Sequence, residues 1–359
     1  MKKFLTILIV LVLVGCKNTK TEKIEETEEI KKQEIVEVET PKIELTETDY
    51  YNNKVNELGE VPIMMYHGIH NMKNSDTKYI GGNVDKDGYQ RTSEAFINDL
   101  EFYYEKGYRM IRLNDYVDGN INVELGKSPI ILTFDDGLIN NITVTGIDDN
   151  GEIIIDPNCA VGILESFKKK YPDYNVTATF FVNGGLFLQQ EYNEKILNWL
   201  INNGYDIGNH TYNHVNFSNI DINKTQKEVG SLYELLDNII PGKYVNIVAL
   251  PFGSPYSLTH DNMNYIFNTN YNNKNYVTKA ALRVGWKAES SPFSIDFNSK
   301  FLKRIRAYDN NGVEFDIEMN FKLLEDTRYI SDGDNSKVVV LEENKFKVTN
   351  VDTKELIIY

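Results

Sequence analysis

The sequence predicts an α/β domain built on a parallel β-sheet, either open or closed into a barrel. Short apolar runs of strand length alternate with longer segments in which apolar residues recur at helical spacing. Several of these runs end in histidine or aspartate, at the position where parallel strands carry binding sites. Regular alternation of strands and helices is typical of a parallel sheet covered by helices.

The predicted strands are runs of mainly apolar residues bounded by polar or turn-forming residues. In chain order they cover 62–65, 109–111, 130–134, 178–182, 206–208, 246–250 and a run near 282–284. Polar caps and terminal glycines bound four predicted amphipathic helices. These helices follow Ser93 up to Gly107, cover roughly 161–170 and 192–203, and run from after Asp221 to before Pro241.

Two segments depart from the alternation. Residues 143–145 and 153–155 flank Asp148-Asp149-Asn150-Gly151, which predicts an inserted β-hairpin with Asn-Gly as its turn. The hairpin either shapes substrate access or decorates the surface. Residues 311–359 contain two strand-like runs, at 337–341 and 356–359, and are interpreted as a small C-terminal β extension packed on the main domain.

The N-terminus carries export signals. Lys2 and Lys3 precede an apolar run, 4–14, that is too short to span a bilayer and is typical of a secretory signal. The run ends in Leu-Val-Gly-Cys16 and resembles the lipobox of bacterial lipoproteins. The resemblance implies a signal peptide at 1–15, lipid on Cys16 and an extracytoplasmic, membrane-anchored protein. An uncleaved anchor or an ordinary signal peptide are the alternatives.

Residues 16–58 are interpreted as a charged flexible tether, because Glu, Lys and Thr dominate and leave little apolar surface to bury. A solvated helix is the alternative. The main folded domain is then expected at 59–310. A formal net charge of -15 argues against nucleic acid as a partner. The chain has two cysteines, and because Cys16 is expected to carry lipid, no disulfide framework is predicted. The oligomeric state is not predicted.

Asp135 and Asp136 form the most informative feature of the sequence. They follow the buried run 130–134 and precede Gly137, which suits a sharp turn. Burying two adjacent carboxylates is costly, since like charges raise each other's pKa. Such a pair suits a metal or a reaction, although an Asp-Asp-Gly turn that only caps a strand is the alternative.

Histidines follow two other strands. His67 ends the run 62–66, while His210 and His214 form a His-x-x-x-His pair after the run 205–209. Two imidazoles and one carboxylate suit catalytic zinc, iron or another divalent ion. Alternatively, these histidines are surface or core residues that make hydrogen bonds.

Four stretches together resemble the polysaccharide deacetylases of the NodB-homology type, carbohydrate esterase family 4. They are Thr-Phe-Asp-Asp-Gly at 133–137, Thr-Ala-Thr-Phe-Phe-Val-Asn-Gly at 177–184, His-Thr-Tyr-Asn-His at 210–214 and Leu-Pro-Phe-Gly at 250–253. The likeness covers roughly 61–310. It implies a distorted (β/α) barrel and metal-dependent removal of acetyl groups from glycans.

The resemblance also implies roles for individual residues. Asp136, His210 and His214 would hold a divalent metal, with zinc favoured, and Asp135 would be the general base. The oxyanion would be shared between the metal and the backbone N–H of Phe252, which lies between Pro251 and Gly253.

The sequence departs from the family pattern at two places. The arginine that usually orients the base is replaced by Ala249, and we predict Arg283 as its substitute. The family's late Leu-x-x-His motif, which supplies the general acid, is absent. The Tyr66-His67 stretch resembles the early motif of permuted deacetylases that act on poly-β-1,6-N-acetylglucosamine, so His67 is predicted as the acid. A buried histidine that caps a strand end is the alternative.

These observations predict a surface lipoprotein that deacetylates an extracellular or cell-wall glycan containing N-acetylglucosamine or N-acetylmuramic units. Two alternatives stay open. One is a non-catalytic glycan-binding lipoprotein with a degenerate deacetylase fold, which Ala249 and the absent late histidine favour. The other is a metal-dependent amidase that acts on a small molecule.

Overall fold

The computed structural model describes residues 44–313 and 315–359. Its main element is an eight-stranded sheet in which every pair of neighbouring strands is parallel. The strands are β1 (Ile63–Tyr66), β2 (Tyr108–Met110), β3 (Ser128–Phe134), β4 (Thr179–Val182), β5 (Asp206–Asn209), β6 (Ile247–Ala249), β7 (Ala280–Leu282) and β8 (Ile305–Arg306). The predicted α/β class and all seven predicted strands are confirmed.

The sheet runs in the order β7-β6-β5-β4-β3-β1-β8 and curls into a half-barrel. Strand β2 pairs with the start of β3, while β4 pairs with its end. Leu302, just before β8, forms a parallel bridge with Leu282 of β7. The segment 302–306 therefore connects the two edges of the sheet, because β8 itself pairs with β1. This geometry agrees with the distorted barrel predicted from the sequence.

Alternation along the strands separates two cores. In β3, Ile131 belongs to the cluster inside the curled sheet, whereas Ile130, Leu132 and Phe134 belong to the cluster between sheet and helices. Successive side chains of a strand point to opposite faces. Thr133 and Asp135 therefore share the inner face with Ile131, which directs the first of the paired aspartates into the barrel.

Eight α-helices accompany the sheet in the described part of the chain. They are α1 (Glu47–Asn53), α2 (Ser93–Glu105), α3 (Leu113–Val117), α4 (Ala160–Lys170), α5 (Asn193–Asn202), α6 (Ile222–Ile239), α7 (Asp261–Phe267) and α8 (Ile317–Thr327). The four predicted helices correspond to α2, α4, α5 and α6. Thr92 and Asp221 cap α2 and α6 through their side-chain oxygens, as polar N-cap residues do.

Four further strands form two antiparallel hairpins. The predicted inserted hairpin is present as Val144–Ile147 and Ile153–Ile155, with Gly151 in its turn. A second hairpin, Asn268–Tyr271 and Lys274–Val277, was not predicted from the sequence. Short parallel pairs join Ile69–His70 to Arg91–Thr92 and Lys337–Val340 to Glu355–Ile358.

The C-terminal region differs from the predicted β extension. It contains helix α8 as well as the two strands, and Phe321 of α8 stacks on Tyr103 with ring centroids 4.9 Å apart. The folded unit also begins at Leu45, earlier than the predicted end of the tether at residue 58. Tyr50 and Val55 pack with Tyr359, so the few apolar residues of this segment are buried by contacts with the other end of the chain.

The predicted signal peptide, the lipid site at Cys16 and most of the predicted tether lie outside the described residues. Within 44–313 and 315–359, no helix is both long and apolar enough to cross a membrane. Cys159 is a free, buried cysteine whose sulfur caps α4.

Candidate metal and catalytic site

The predicted site residues meet at one edge of the sheet. Tyr66 at the end of β1 lies opposite Phe134 at the end of β3, so His67 and Asp135 follow on neighbouring strands. Val182 lies opposite Asn209, which places His210 directly after β5 on the same edge. This convergence follows from parallel pairing, since all carboxyl ends then share one side of the sheet.

A sharp turn after β3 separates the two aspartates. Asp136 and Gly137 adopt positive φ angles of 77° and 60°. A Cβ atom at residue 137 would lie 2.4 Å from the carbonyl oxygen of Leu186, so only glycine fits there. The turn leaves Asp135 buried inside the barrel, while Asp136 is partly exposed.

Asp136, His210 and His214 bring three ligand atoms together. Oδ1 of Asp136 lies 3.3 Å from Nε2 of His210 and 3.3 Å from Nε2 of His214. One ligand atom from each of the three residues lies within 4.8 Å of the others. The predicted carboxylate and imidazole pair therefore form one cluster.

The tautomer of His210 supports cation binding. Nδ1 of His210 lies 2.8 Å from the carbonyl oxygen of Ala249, which can only accept, so Nδ1 carries the proton. In the neutral imidazole, Nε2 presents a lone pair to Oδ1 of Asp136, which is buried and receives no hydrogen bond from a described residue. Acceptor atoms that face one another repel unless a cation lies between them. Two imidazoles and one carboxylate fit a divalent transition metal such as zinc.

Backbone strain is concentrated around this cluster. Six non-glycine residues with positive φ lie in the loops at this edge: Asp136, Leu186, Leu188, Thr211, His214 and Phe252. Apart from Lys54 and Phe315, the other described non-glycine residues with positive φ are asparagines, which tolerate this conformation. Each strained residue costs on the order of 1–3 kcal/mol, so surrounding contacts must hold these loops in place.

Asp135 is held by Arg304, which the sequence analysis missed. Nη1 and Nη2 of Arg304 donate to the two carboxylate oxygens of Asp135 at 2.8 and 2.7 Å. The same guanidinium donates to Oγ1 of Thr133 at 3.1 Å and, through Nε, to the carbonyl oxygen of Arg283 at 3.1 Å. Arg304 is fully buried, and its planar fork matches the carboxylate.

The prediction that Arg283 orients Asp135 is therefore wrong. Its guanidinium lies over the rings of Phe301 and Trp286, at 4.9 and 5.6 Å from their centroids. Only its backbone carbonyl takes part, by accepting from Arg304. Arg304 lies in the middle of the segment 302–306 that connects the sheet edges, within the run Lys-Arg-Ile-Arg at 303–306. No local pattern distinguishes it from the neighbouring basic residues.

Charge and burial act in opposition at this edge. Burial alone would raise the pKa of Asp135, but Arg304 and then His210 hold that pKa well below its ordinary value. Asp135 therefore stays a carboxylate at neutral pH. Burial lowers the pKa of His67, and the nearby Asp135 and Asp136 only partly oppose this effect. A lowered pKa makes the protonated form of His67 a stronger proton donor.

His67 lies where the sequence predicts it, at the end of β1. Its ring meets Tyr89 edge to face, with centroids 5.0 Å apart, and Nδ1 is buried without a hydrogen-bond partner among the described residues. Its backbone carbonyl accepts from Nδ2 of Asn141 at 2.7 Å. The backbone of His67 is therefore fixed, whereas Nδ1 of its ring makes no hydrogen bond to a described residue.

Residues Pro251–Gly253 complete the edge. They form a short 3-10 turn directly after β6, and Phe252 has a φ of 59°. The Phe252 ring lies 4.6 Å from the ring of His214, centroid to centroid. Gly253 also has positive φ, and a Cβ there would lie 3.0 Å from the backbone nitrogen of Val284. The predicted third stretch thus borders the histidine pair.

Known proteins resemble the chain in sequence and in structure. The polysaccharide deacetylase family matches residues 122–269, a shorter range than the 61–310 expected from the motifs. This range contains both aspartates, both clustered histidines and Pro251–Gly253, and it excludes His67 and Arg304. No curated protein matches the chain.

Several solved structures resemble the chain. Deacetylase PplD from Streptococcus pyogenes, in complex with acetate, is 21% identical and has a TM-score of 0.49, covering 70% of this chain and 94% of that one. A de-N-acetylase from Aggregatibacter actinomycetemcomitans is 11% identical, with a TM-score of 0.43 and coverages of 68% and 94%. Peptidoglycan deacetylase PdaC from Bacillus subtilis is 26% identical, with a TM-score of 0.25 and coverages of 38% and 52%.

The family match and the site geometry rest on the same residues. The stretch 122–269 supplies the Asp136, His210 and His214 cluster as well as Asp135. Over residues 122–269, the chain is similar to the polysaccharide deacetylase family.

Proposed function

We propose that the protein is a metal-dependent hydrolase that removes acetyl groups from an extracellular or cell-wall glycan. The observation that carries the proposal is the convergence of three metal-ligand side chains with a separately held carboxylate, Asp135, at one sheet edge. The family match supports deacetylation of a polysaccharide in general. The N-acetylglucosamine or N-acetylmuramic units, the zinc ion and the location outside the cytoplasm are our proposals.

Each residue has a role that its surroundings allow. Asp136, His210 and His214 would hold a divalent ion, which when bound would polarise the acetyl carbonyl and lower the pKa of water. Asp135, kept ionised and oriented by Arg304, takes a proton from the attacking water. The backbone N–H of Phe252 stabilises the oxyanion.

Bond cleavage needs a proton on the leaving group. Water adds to the acetyl carbonyl carbon, the bond from that carbon to the sugar nitrogen or oxygen breaks, and acetate leaves. His67 donates the proton that the amine or alcohol requires. Its ring is supported by Tyr89 and has a polar nitrogen free of structural contacts, which suits this role.

The non-catalytic alternative loses one of its two supports. Ala249 suggested that the base had no orienting arginine, but Arg304, which directly precedes β8, holds the base instead. A glycan-binding protein without turnover has no need for a buried carboxylate clamped by a buried guanidinium, since that pair costs desolvation energy.

Acetate release tests the proposal. Purified protein loaded with zinc is incubated with chitooligosaccharides, peptidoglycan and acetylated xylan, with and without a chelator. We expect chelator-sensitive acetate release from at least one substrate, and its loss together with bound metal in H210A and H214A. H260A is the matched control, because His260 only caps α7. Full activity in the presence of chelator, or metal-loaded protein inert on every substrate, would refute the proposal.

Membrane attachment needs a separate test. We propose that Cys16 carries the lipid and that residues up to 44 separate the folded unit from the membrane. Cells treated with globomycin should accumulate the unprocessed precursor. Mass analysis of the mature N-terminus should give a lipidated Cys16, and an unmodified one would contradict the assignment.

A further inference from the structure

The loop that carries the two histidines is held from behind by helix α6. The loop spans residues 210–214, and Thr211 and His214 have φ angles of 61° and 52°. Positive φ is unfavourable for a β-branched residue such as threonine, so the loop would not keep this shape by itself. The His210 and His214 rings converge only while this shape persists.

Glu228 makes the most extensive contacts with this loop. Its carboxylate oxygen Oε2 accepts the backbone N–H of Asn213 at 2.8 Å, and Oε1 accepts Nδ2 of Asn213 at 2.9 Å. Its backbone carbonyl accepts the N–H of Tyr212 at 3.0 Å. Glu228 therefore fixes Tyr212 and Asn213, the two residues that lie between the strained Thr211 and His214.

Neighbouring contacts fix the start of the loop independently. Nδ2 of Asn209 donates to the carbonyl oxygen of Val229 at 3.0 Å, and Oδ1 of Asn209 accepts the N–H of Thr211 at 2.8 Å. On the other side, the N–H of Gly184 donates to the carbonyl oxygen of Tyr212 at 2.8 Å. These bonds anchor His210, whereas the direction of His214 depends on the bonds to Asn213.

Glu228 is buried, with 2% of its surface exposed, although a surface helix normally turns its charged residues to water. It lies eighteen residues after the first ligand histidine and does not touch the ligand atoms. A buried carboxylate is costly unless its oxygens are satisfied, and here donors from Asn213 satisfy both oxygens.

We propose that Glu228 is a positioning residue that sets the metal affinity of the site by holding His214 in its ligand direction. The inference rests on the proposed metal site. Loss of contacts that orient ligand histidines typically weakens metal binding by roughly 10- to 100-fold. Glu228 acts through the loop backbone, so we expect a loss of about tenfold, near the lower end of that range.

The test compares two isosteric substitutions on the same helix. E228Q keeps the side-chain volume but replaces one acceptor oxygen with a donor that opposes an N–H of Asn213. E234Q is the matched control, because Glu234 also accepts from an asparagine amide, Asn272, at 2.9 Å, but away from the loop. Zinc dissociation constants are measured by competition with a chromophoric chelator, and melting temperatures are measured without metal.

We expect E228Q to bind zinc about tenfold more weakly than the unsubstituted protein, and E234Q to bind it equally well. Saturating zinc should restore most of the kcat of E228Q, since the reacting groups are intact. N213A, which removes only the amide donor, should give a smaller loss and should not add fully to E228Q. A lower melting temperature with unchanged zinc affinity in E228Q would overturn the inference. If the unsubstituted protein binds no zinc, the proposed function fails instead.

Discussion

Removal of the Arg304 guanidinium gives the sharpest test of how the site is built. Arg304→Met keeps an unbranched apolar stem and removes four hydrogen bonds, two of them to Asp135. The Asp135 carboxylate, 2% exposed, is then left without its cation inside the barrel. Breaking a buried pair by removing one partner costs about 3–5 kcal/mol, and we expect the free energy of unfolding to fall by this amount.

Activity should fall with stability but for a different reason. Without the fork, Asp135 is no longer held in one orientation, and a misplacement of about 1 Å can cost roughly 100-fold in rate. We expect acetate release by R304M to fall by about this factor at a temperature where the protein is still folded.

Two comparison variants make the test decisive. The double variant D135N/R304M removes both charges, so chemical denaturation should show recovery of most of the lost stability without recovery of activity. R283M should keep most activity, because the Arg283 side chain does not touch Asp135. A loss below about 1 kcal/mol in R304M, or equal inactivation of R283M, would refute the assignment of Arg304 as the partner of the base.

Three further predictions concern single side chains. His67→Ala should lower kcat by roughly 100-fold or more while bound zinc stays unchanged, and retained turnover would remove His67 from the mechanism. Phe321→Ala should lower the free energy of unfolding by about 3–5 kcal/mol, because α8 is part of the core; a loss below 1 kcal/mol would make α8 a peripheral element. Burial and the nearby Asp332 raise the pKa of Glu57 to about 8, from an ordinary value of 4.5. The folded state then binds more protons than the unfolded state between these values, so stability should fall as the pH rises from 4.5 to 8. Glu57→Gln should flatten that slope in urea titrations, and an unchanged slope would mean that Glu57 is ionised in the folded state.

Local pattern was sufficient for much of the fold. Strand and helix positions followed from apolar periodicity and capping residues, and each predicted strand is present within one or two residues. The hairpin 144–155 was predictable because Asn-Gly between two β-branched runs strongly favours a hairpin turn. Helix α8 was missed because a C-terminal pair of strand-like runs dominated the interpretation of 311–359. The packing of residues 45–58 was not predicted because this segment is rich in charged residues and contains few apolar ones. Tyr50 and Val55 pack against residues near the C-terminus, including Tyr359.

The sequence by itself determined which residues could converge, whereas the tertiary structure decided which of them touch. Asp136, His210 and His214 were predictable as a set, because parallel strands bring their carboxyl ends to one edge whatever the detailed packing. The sequence did not predict that Arg304 rather than Arg283 contacts Asp135, because the direction of each side chain is set by the tertiary structure. Arg304 points into the barrel, whereas Arg283 lies over aromatic rings outside it. Contacts between residues far apart in the chain depend on register and side-chain direction, and short sequence patterns do not carry that information.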